Sequence, residues 1–306
     1  MYQQLITKAV KAIFNDSALT DCTPIGAGFY GKVYAVKLSK PPYSAAIKIF
    51  FRRGDNEKEA LWYLALRRSG IPLPEIYGMY DEGEHGVLAM SLLKACSATD
   101  TSGLTCRELD KLGDEIAETA VKLHLLKGSG YGDITDVSCL EGGKEDSWTE
   151  YYRIKAKKAM DNISRAVSRG LLDRRHENIY YRALDAIDIA IDTPSYPALI
   201  HGDLNTDNIM IDKKMSRVVA VIDPISSMWG DYEYELFQLD CASGKAYGLL
   251  DKYAQSRPLS DKYDLKSAIY SAFAEGNHYC NINKACDDNL STFIARLDFA
   301  LNNYGL

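Results

Sequence analysis

A short polar stretch set between two apolar runs is the feature that most constrains this chain. The stretch "HGDLNTDN", His201 to Asn208, follows "ALI" and precedes "IMI". Short apolar runs are typical of buried strands, and each polar group buried beside them without a partner would cost roughly 2–7 kcal/mol. The stretch therefore predicts a functional loop between two short strands, in which bound groups offset the cost of burying the polar side chains.

Composition narrows the class of protein. The chain has 306 residues, of which 46% are hydrophobic and 25% charged, which is enough for a folded protein with two lobes. The net charge of −6 argues against nucleic-acid binding, which requires a basic face. The N-terminal "MYQQLITKAVKAIFNDS" has helical spacing and no signal-peptide pattern, and no segment reaches the ~18 apolar residues of a membrane-spanning helix. Seven scattered cysteines fit a reducing compartment, so we expect a cytoplasmic protein without nucleic-acid or membrane partners.

Strand and helix signals divide the chain into two parts. Up to about residue 93, the runs "GKVYAVKL", "SAAIKIFF" and "HGVLAMSLL" have the β-branched and apolar composition of strands, with one helix over 56–70 between them. Helical periodicity dominates the remainder, where only the region 198–222 breaks it, and a capping box at Thr105 and Glu108 starts one long helix. We predict an α+β fold with a small β-rich N-terminal lobe, residues 1–93, and a larger, mainly helical C-terminal lobe, residues 94–306.

A glycine pattern lies in the N-terminal part. "IGAGFYGKVYAV" contains Gly26, Gly28 and Gly31 in G-x-G-x-x-G spacing, followed by Val33. A dinucleotide-binding fold would place a helix after the glycines, whereas "KVYAVKL" is typical of a strand. A hairpin of strand, glycines and strand is the loop with which kinases cover nucleotide phosphates. Glycines at this spacing also form ordinary turns, so the pattern alone does not establish a phosphate-binding loop.

A lysine on the next strand favours the kinase interpretation of the glycines. Lys48 lies in "SAAIKIFF", with apolar neighbours that would hold its stem, and is a candidate ligand for the α- and β-phosphates. Such a lysine needs an acidic partner from the following helix. Glu57 and Glu59 both lie there, and each shares a helix face with apolar residues, so periodicity leaves the two open.

The polar stretch itself has the side chains that phosphoryl transfer needs. Asp203 could orient an attacking hydroxyl and accept its proton, while Asn208, five residues later, could bind Mg²⁺. After the second apolar run, "VVAVID" ends at Asp223, which would lie beside the loop if the strands pair and would be the main Mg²⁺ ligand. These residues also occur in ordinary turns. Their order along the chain, after the glycines and Lys48, favours the catalytic interpretation.

These motifs together resemble those of the protein-kinase-like superfamily, and within it the aminoglycoside phosphotransferase, fructosamine kinase and choline kinase group. "HGDLNTDNIMID", "VVAVIDP" and "GDYEYEL" are similar to the signature of that group, with Gly202 where protein kinases have an arginine. "EALWYLALRRSGIPLPEIYG" resembles the group's helix and implies that Glu59 is the partner of Lys48. The resemblance implies a bilobal protein-kinase-like fold.

Two departures from kinase patterns bear on function. Only a few residues separate Asp223 from "GDYEYEL", which leaves no room for the activation segment on which protein kinases bind a peptide. Glu235 stands where the group usually has an aspartate that braces the catalytic loop, so the exact position of Asp203 depends on how one extra methylene is accommodated.

The sequence predicts an ATP- and Mg²⁺-dependent phosphotransferase, with GTP as the other candidate nucleotide. The acceptor would be a hydroxyl of a small polar molecule such as an aminoglycoside, ketosamine, sugar or amino alcohol. Asp203 would be catalytic, and Asn208 and Asp223 would bind the metal. We expect the nucleotide to bind in the cleft between the lobes. The predicted nucleotide-binding residues are Gly26, Gly28, Gly31, Val33, Lys48, Glu59, Met90 and Leu92. The alternatives are an inactive nucleotide-binding regulatory module and a protein or peptide kinase.

Overall fold

The computed structural model describes residues 2–306, in which an antiparallel sheet is followed by a mainly helical region. The strands are β1 (Leu19–Ala27), β2 (Gly31–Leu38), β3 (Ser44–Phe50), β4 (Ile76–Glu82), β5 (His85–Met90), β6 (Cys96–Ser97), β7 (Gly132–Asp133), β8 (Ala198–Ile200), β9 (Ile209–Asp212), β10 (Arg217–Val221) and β11 (Met228–Gly230). The helices are α1 (Gln3–Ile13), α2 (Asp55–Arg67), α3 (Cys106–Leu125), α4 (Trp148–Ser168), α5 (Arg174–Asp185), α6 (Ile187–Ala190), α7 (Leu236–Leu239), α8 (Ala242–Tyr247), α9 (Leu249–Ser256), α10 (Tyr263–Asn281) and α11 (Asp288–Asn303).

The N-terminal sheet has five antiparallel strands in the order β1-β2-β3-β5-β4. One face is covered by the amphipathic helix α1, whose buried Ile6 and Val10 pack in one cluster with Ile47 and Ile49 of β3. Because side chains alternate across a strand, Lys48 points to the opposite face, where α2 packs against β3 and β5. The alternation of β3 thus directs the one charged residue of a buried strand away from the α1 core.

The C-terminal region is built on long amphipathic helices. α10 packs against both α4 and α11, and its buried face includes Tyr270, whose hydroxyl accepts a hydrogen bond from Trp148 at 2.8 Å. The capping box predicted for α3 is present, since Glu108 N–H donates to Thr105 Oγ1 at 3.3 Å and Thr105 N–H donates to Glu108 Oε2 at 2.8 Å. Each such cap stabilises a helix by about 1 kcal/mol.

Short strands interrupt these helices at more places than the sequence indicated. β9 and β10 form the expected hairpin in the region 198–222, but β6 also pairs with β9, and β7 and β8 flank β11 in a second small sheet. The expectation of a single interruption was therefore wrong. The added strands are two or three residues long and too short to show alternation, so only their tertiary pairing defines them.

The predicted α+β, kinase-like arrangement of a β-rich region followed by a helical region is confirmed. The boundary between residues 93 and 94 stays a prediction. All seven cysteines have free thiols. Within residues 2–306, no helix is both long and apolar enough to span a membrane.

Candidate active site

The polar loop His201–Asn208 connects β8 to β9, as the apolar runs predicted. Antiparallel pairing of β9 with β10 returns the chain to the loop, and Ile222 N–H donates to the carbonyl oxygen of Asn208 at 2.8 Å. This bond places Asp223, the next residue, beside the end of the loop. The three residues predicted to act on phosphate and metal, Asp203, Asn208 and Asp223, therefore lie together.

Asp203 is held by three side-chain amides. Asn208 Nδ2 donates to Asp203 Oδ2 at 2.8 Å, and Asn205 Nδ2 and Gln238 Nε2 donate to Oδ1 at 2.8 and 3.2 Å. Burial raises the pKa of Asp203 to about 6, a rise that these hydrogen bonds oppose and the nearby Asp223 carboxylate reinforces. The result is an oriented carboxylate that is ionised at neutral pH yet more basic than an exposed aspartate.

Asn208 is also fixed in orientation. Its Nδ2 donates to the backbone oxygen of Asp203 at 2.8 Å as well as to the carboxylate, and the turn Thr206–Asn208 is capped by Asn205. Within residues 2–306, no donor bonds to Asn208 Oδ1, which remains available to a ligand. Asp223 has a left-handed backbone with φ of 60°, and its N–H donates to the Tyr63 hydroxyl of α2 at 3.0 Å.

Lys48 contacts two carboxylates. Its Nζ lies 2.5 Å from Glu59 Oε2 and also contacts Asp223, while Glu57 is exposed, so the helix partner is Glu59. Burial alone would lower the pKa of Lys48, but the two carboxylates outweigh burial and raise it. Burial raises the pKa of Glu59 to about 7 despite the attraction of Lys48. Glu59 Oε1 is buried and has no hydrogen-bond partner among the described residues.

The glycines form the turn between β1 and β2, a strand–glycine–strand hairpin as predicted. Gly31 must be glycine, because a Cβ there would lie 2.2 Å from the carbonyl oxygen of Ile49. Gly28 N–H donates to Gly31 O at 2.9 Å and closes the turn. At the tip, the exposed Phe29 ring lies edge-on to His278 of α10 with centroids 5.2 Å apart, so the loop reaches across to the helical region.

The remaining predicted nucleotide residues line an apolar part of the same face. Val33 pairs with Lys48 in the sheet, and Met90, the last residue of β5, lies with Val33 and Leu92 in one apolar cluster. A cavity of about 250 Å³ occupies the other end of the cleft, lined by Lys48, Glu59 and Asp223. The cavity does not extend to Met90 or Leu92.

Beneath the loop lies a buried brace centred on Glu235. Glu235 Oε1 accepts from His201 N–H at 3.1 Å and faces His124 Nε2 at 2.8 Å, and Oε2 accepts from Gly202 N–H at 2.8 Å. Burial opposes ionisation of this carboxyl, but the hydrogen bonds and charges of His124 and His201 together outweigh burial and hold the pKa of Glu235 below its usual value. The longer glutamate thus reaches the loop backbone, and the ring of His201 accepts a bond from Asp203 N–H at 3.2 Å.

Sequence reasoning missed three residues of this site. His124 lies in α3, Gln238 in α7 and Tyr63 in α2, and each contacts the loop, its brace or Asp223 from an element distant in sequence. Within their own helices, His124 and Tyr63 are ordinary members of a buried face, and Gln238 is a partly buried polar residue. No local spacing signals them, because their partners are defined only when the helices pack.

Comparisons with known proteins identify the family of this chain. The model of the phosphotransferase enzyme family (APH) matches residues 21–240. The uncharacterized protein YcbJ of Escherichia coli strain K12 is 24% identical over 215 residues, which cover 69% of this chain and 70% of the relative.

Solved structures share the fold over nearly the whole chain. A putative fructosamine-3-kinase from Haemophilus somnus 129PT superposes with a TM-score of 0.69 at 17% identity, covering 97% of this chain and 96% of that one. The aminoglycoside phosphotransferase APH(4)-Ia, in a ternary complex of a thermostable mutant with ADP and hygromycin B, gives 0.69 at 16% identity, covering 97% and 98%. Because the family model spans well over half of its residues, this chain belongs to the phosphotransferase enzyme family.

Proposed function

We propose that this protein transfers the γ-phosphoryl group of ATP, with Mg²⁺, to a hydroxyl of a small polar molecule. The observation that carries the proposal is the convergence of four side chains: Asn208 bonds to the Asp203 carboxylate, Asp223 lies at the end of the same loop, and Lys48 contacts Asp223. Oriented groups of this kind are what phosphoryl transfer requires, because catalysis rests on positioning and charge stabilisation.

Asp203 orients the acceptor and takes its proton. Three amides fix the carboxylate, so an acceptor hydroxyl that donates to it is held with its oxygen facing the nucleotide. A carboxyl with a pKa of about 6 is ionised at pH 7 and accepts a proton more readily than an ordinary aspartate. The fold therefore raises the basicity of Asp203 without leaving it protonated.

Asn208 and Asp223 fit a magnesium site completed by a nucleotide. Within residues 2–306, no three side chains among His, Cys, Asp and Glu converge into a metal cage. Mg²⁺ is usually bound by one or two carboxylates together with substrate phosphates and waters, which matches this sparse donor set. The metal would neutralise the developing charge on the phosphates. Asp223, with a side chain 42% exposed, would pass from its contact with Lys48 to the metal.

Lys48, held by Glu59, would bind the α- and β-phosphates, and the Gly26–Gly31 turn would cover them. The unpartnered Glu59 Oε1 and the short contact between Lys48 and Asp223 describe a charged cluster that a bound nucleotide would rearrange. The apolar cluster of Val33, Met90 and Leu92 would receive the base. ATP is the proposed nucleotide, and GTP would enter the same cleft.

The short connection after Asp223 favours a small acceptor. Strand β11 begins at Met228 and the helical turn at Tyr232, so no long segment is present to bind a peptide. The structural neighbours include a putative fructosamine kinase and an aminoglycoside phosphotransferase bound to hygromycin B, which supports a small polar acceptor. The free thiols fit a reducing compartment, and we place the protein in the cytoplasm.

The test is a thermal-shift and turnover screen of the full chain. ATP, ADP and GTP are added with and without Mg²⁺, followed by aminoglycosides, ketosamines, amino alcohols and sugars, and ADP release is measured for each acceptor. We expect Mg²⁺-dependent stabilisation by nucleotide, and turnover with one acceptor class that is lost in Asp203→Ala.

The screen also separates the alternatives. Nucleotide binding without ADP release for any acceptor would indicate an inactive module, and phosphate transfer to generic protein substrates would indicate a protein kinase. Absence of any nucleotide shift would contradict the proposed function.

A further inference from the structure

A second cavity lies in the helical region, apart from the Lys48 cleft. It has a volume of about 280 Å³, opens between α4 and α10, and shares no lining residue with the cavity at Lys48. Pockets of ~300 Å³ and above commonly hold small molecules. The cavity is therefore large enough for a compact polar ligand, and none of its lining residues has a role in the proposed phosphotransfer.

One buried tyrosine hydroxyl on this cavity lacks a partner. Tyr151 and Tyr152 both line the cavity; the Tyr151 hydroxyl lies near the Asp133 carboxylate, whereas the Tyr152 hydroxyl has no hydrogen-bond partner among the described residues. Tyr152 is only 2% exposed, so water outside the cavity does not satisfy its hydroxyl. An unpaired buried polar group costs about 1–3 kcal/mol, and a ligand that accepts a hydrogen bond here would offset that cost.

Lysines give the cavity a positive charge. Lys155 and Lys158 lie one turn apart on α4 and both line it. Lys155 Nζ is 3.5 Å from Asp133 Oδ1, so its charge is balanced, whereas Lys158 forms no ion pair within residues 2–306. The charged lining residues Asp133, Lys155 and Lys158 thus sum to one positive charge, in a chain whose net charge is −6.

The protonation states agree with an anion site. Burial would lower the pKa of Lys155, but Tyr234 and Asp133 outweigh burial and raise it, so the ammonium group stays charged. Burial raises the pKa of Tyr151, and Asp133 adds to the rise. Burial raises the pKa of Tyr152 as well, so both hydroxyls remain protonated and can donate.

We propose that this cavity binds the anionic group, phosphoryl or carboxylate, of a small molecule. Lys158 and Lys155 supply the charge, and the hydroxyl of Tyr152 donates a hydrogen bond to an anion oxygen. Charge-assisted bonds of this kind are the strong class of hydrogen bond. Binding at this site can be tested apart from the proposed phosphotransfer, because an anion can occupy it whether or not transfer follows.

The position of the cavity links it to the active site. Tyr234, which lines it, precedes Glu235 of the loop brace, and Asn277 on its α10 wall lies two residues from Glu275, whose pKa is raised by burial and by Asp203. The anion bound there belongs either to the acceptor of the transfer or to a separate small molecule. Both sources present the same chemistry to Lys158.

Isothermal titration of inorganic phosphate into the full chain tests the site. The titration is made in the Lys48→Met background, which removes the other cationic cleft, and again in the unmodified chain saturated with ADP. We expect one saturable site of millimolar affinity. Lys158→Met should weaken it about three- to fivefold and the double variant Lys155→Met/Lys158→Met by about tenfold or more. Tyr152→Phe should weaken it about two- to fivefold.

Lys157→Met is the matched control, because Lys157, like Lys158, is an exposed residue of the same helix but does not line the cavity. It should leave phosphate affinity unchanged. Equal losses in Lys157→Met and Lys158→Met, or no saturable binding at all in variants that keep the melting temperature of the parent, would overturn the proposal.

A kinetic comparison distinguishes the two sources of the anion, and this arm rests on the proposed function. ADP release is measured with glucose beside glucose 6-phosphate and gluconate. If the anion belongs to the acceptor, Lys158→Met should raise KM for the anionic sugars alone and leave kcat unchanged. If neutral and anionic sugars respond alike while phosphate still binds, the ligand is a separate molecule at the same site.

Discussion

The catalytic loop lies between two charged clusters of opposite character. The cluster below it, Glu235 with His124, is completely buried, and both carboxylate oxygens are partnered. His124 continues to Tyr253, with 2.8 Å between Nδ1 and the hydroxyl oxygen. This cluster is a closed hydrogen-bond network, which stabilises a fold when every member is satisfied.

The cluster above the loop, Lys48 with Glu59 and Asp223, is left open. Glu59 Oε1 has no partner within residues 2–306, Asp223 is partly exposed with a left-handed backbone, and burial raises the pKa of Glu59 to about 7. Strained and incompletely paired groups persist where function requires them. The lower cluster therefore stabilises the fold and positions the catalytic loop. The upper cluster lowers the stability of the protein, and a bound ligand would offset that loss.

The largest effect should come from Asp203, in the loop between the two clusters. Asp203→Ala should reduce kcat by about 10²–10⁴-fold, because it removes the carboxylate that is proposed to orient the acceptor and take its proton. Nucleotide affinity, measured by calorimetry, should stay within about twofold, since Lys48 and Glu59 are intact. Asp207→Ala is the control, because Asp207 is an exposed carboxylate in the same loop. Equal rates in the two variants would remove Asp203 from its role.

Breaking the lower cluster should cost mainly stability. Glu235→Ala leaves two buried backbone N–H groups and the His124 ring without their acceptor, at about 1–3 kcal/mol for each group. We expect a loss of about 3–5 kcal/mol in the free energy of unfolding, measured by urea denaturation. Glu235→Asp, one methylene shorter, should lose less. A loss below about 1 kcal/mol in Glu235→Ala would show that the brace is not structural.

Breaking the upper cluster should cost binding more than stability. Glu59→Gln should weaken ATP affinity about tenfold, because Lys48 loses the charge that orients it. The control is Glu57→Gln, an exposed glutamate of the same helix, which should change neither ATP affinity nor melting temperature. If Glu59→Gln lowered the melting temperature as much as Glu235→Ala, the proposed difference between the two clusters would be wrong.

The two clusters should also differ in the sign of their pH dependence. The pKa of Glu59 is about 7 in the folded protein against an ordinary value of 4.5, so its contribution to stability falls as pH rises between these values. The pKa of Glu235 is lowered, so its contribution is present above the unfolded pKa and lost as pH falls through the folded one.

Melting temperatures at pH 5 and pH 8 check these signs. The melting temperature of Glu59→Gln, taken relative to that of the unmodified protein, should be higher at pH 8 than at pH 5. Glu235→Gln should not share that trend, because its folded pKa lies below the window. Parallel behaviour of the two variants would mean that the clusters do not differ in this way.

The acid limb of activity tests the environment of Asp203 between the two clusters. Since Asp203 acts as a base and its pKa is about 6, kcat/KM should be constant above that pH and fall about tenfold per pH unit below it. A pH–rate profile measured between pH 5 and 8 checks this. A profile that stays flat down to pH 5, as expected for an exposed aspartate with a pKa of about 4, would show that burial does not tune this carboxyl.

Much of the catalytic loop could be predicted because its residues lie close in sequence. Asp203 and Asn208 are five residues apart between two short strands, and the pairing of β9 with β10 brings Asp223 beside them. The glycines and Lys48 lie on adjacent strands, so their proximity also results from local pairing. Short-range geometry of this kind is a direct consequence of the strand and turn pattern.

Periodicity could not choose between Glu57 and Glu59, because both share a helix face with apolar residues. Packing of α2 against the sheet buries Glu59 and exposes Glu57. The sequence also could not show whether Glu235 would brace the loop as the shorter aspartate does. The answer depends on His124, 111 positions earlier, and on how α3 lies against the loop.

The sequence by itself determined the order of the motifs, the strand–loop–strand unit that carries Asp203 and the family of the chain. Only the tertiary structure decided the partners of each charge, the pKa of Asp203 and the lysine-lined cavity between α4 and α10. The physical reason is the distance along the sequence between the residues that interact. Strand pairing and turn formation depend on neighbours in sequence, whereas burial and charge pairing depend on elements that meet only when the whole chain has packed.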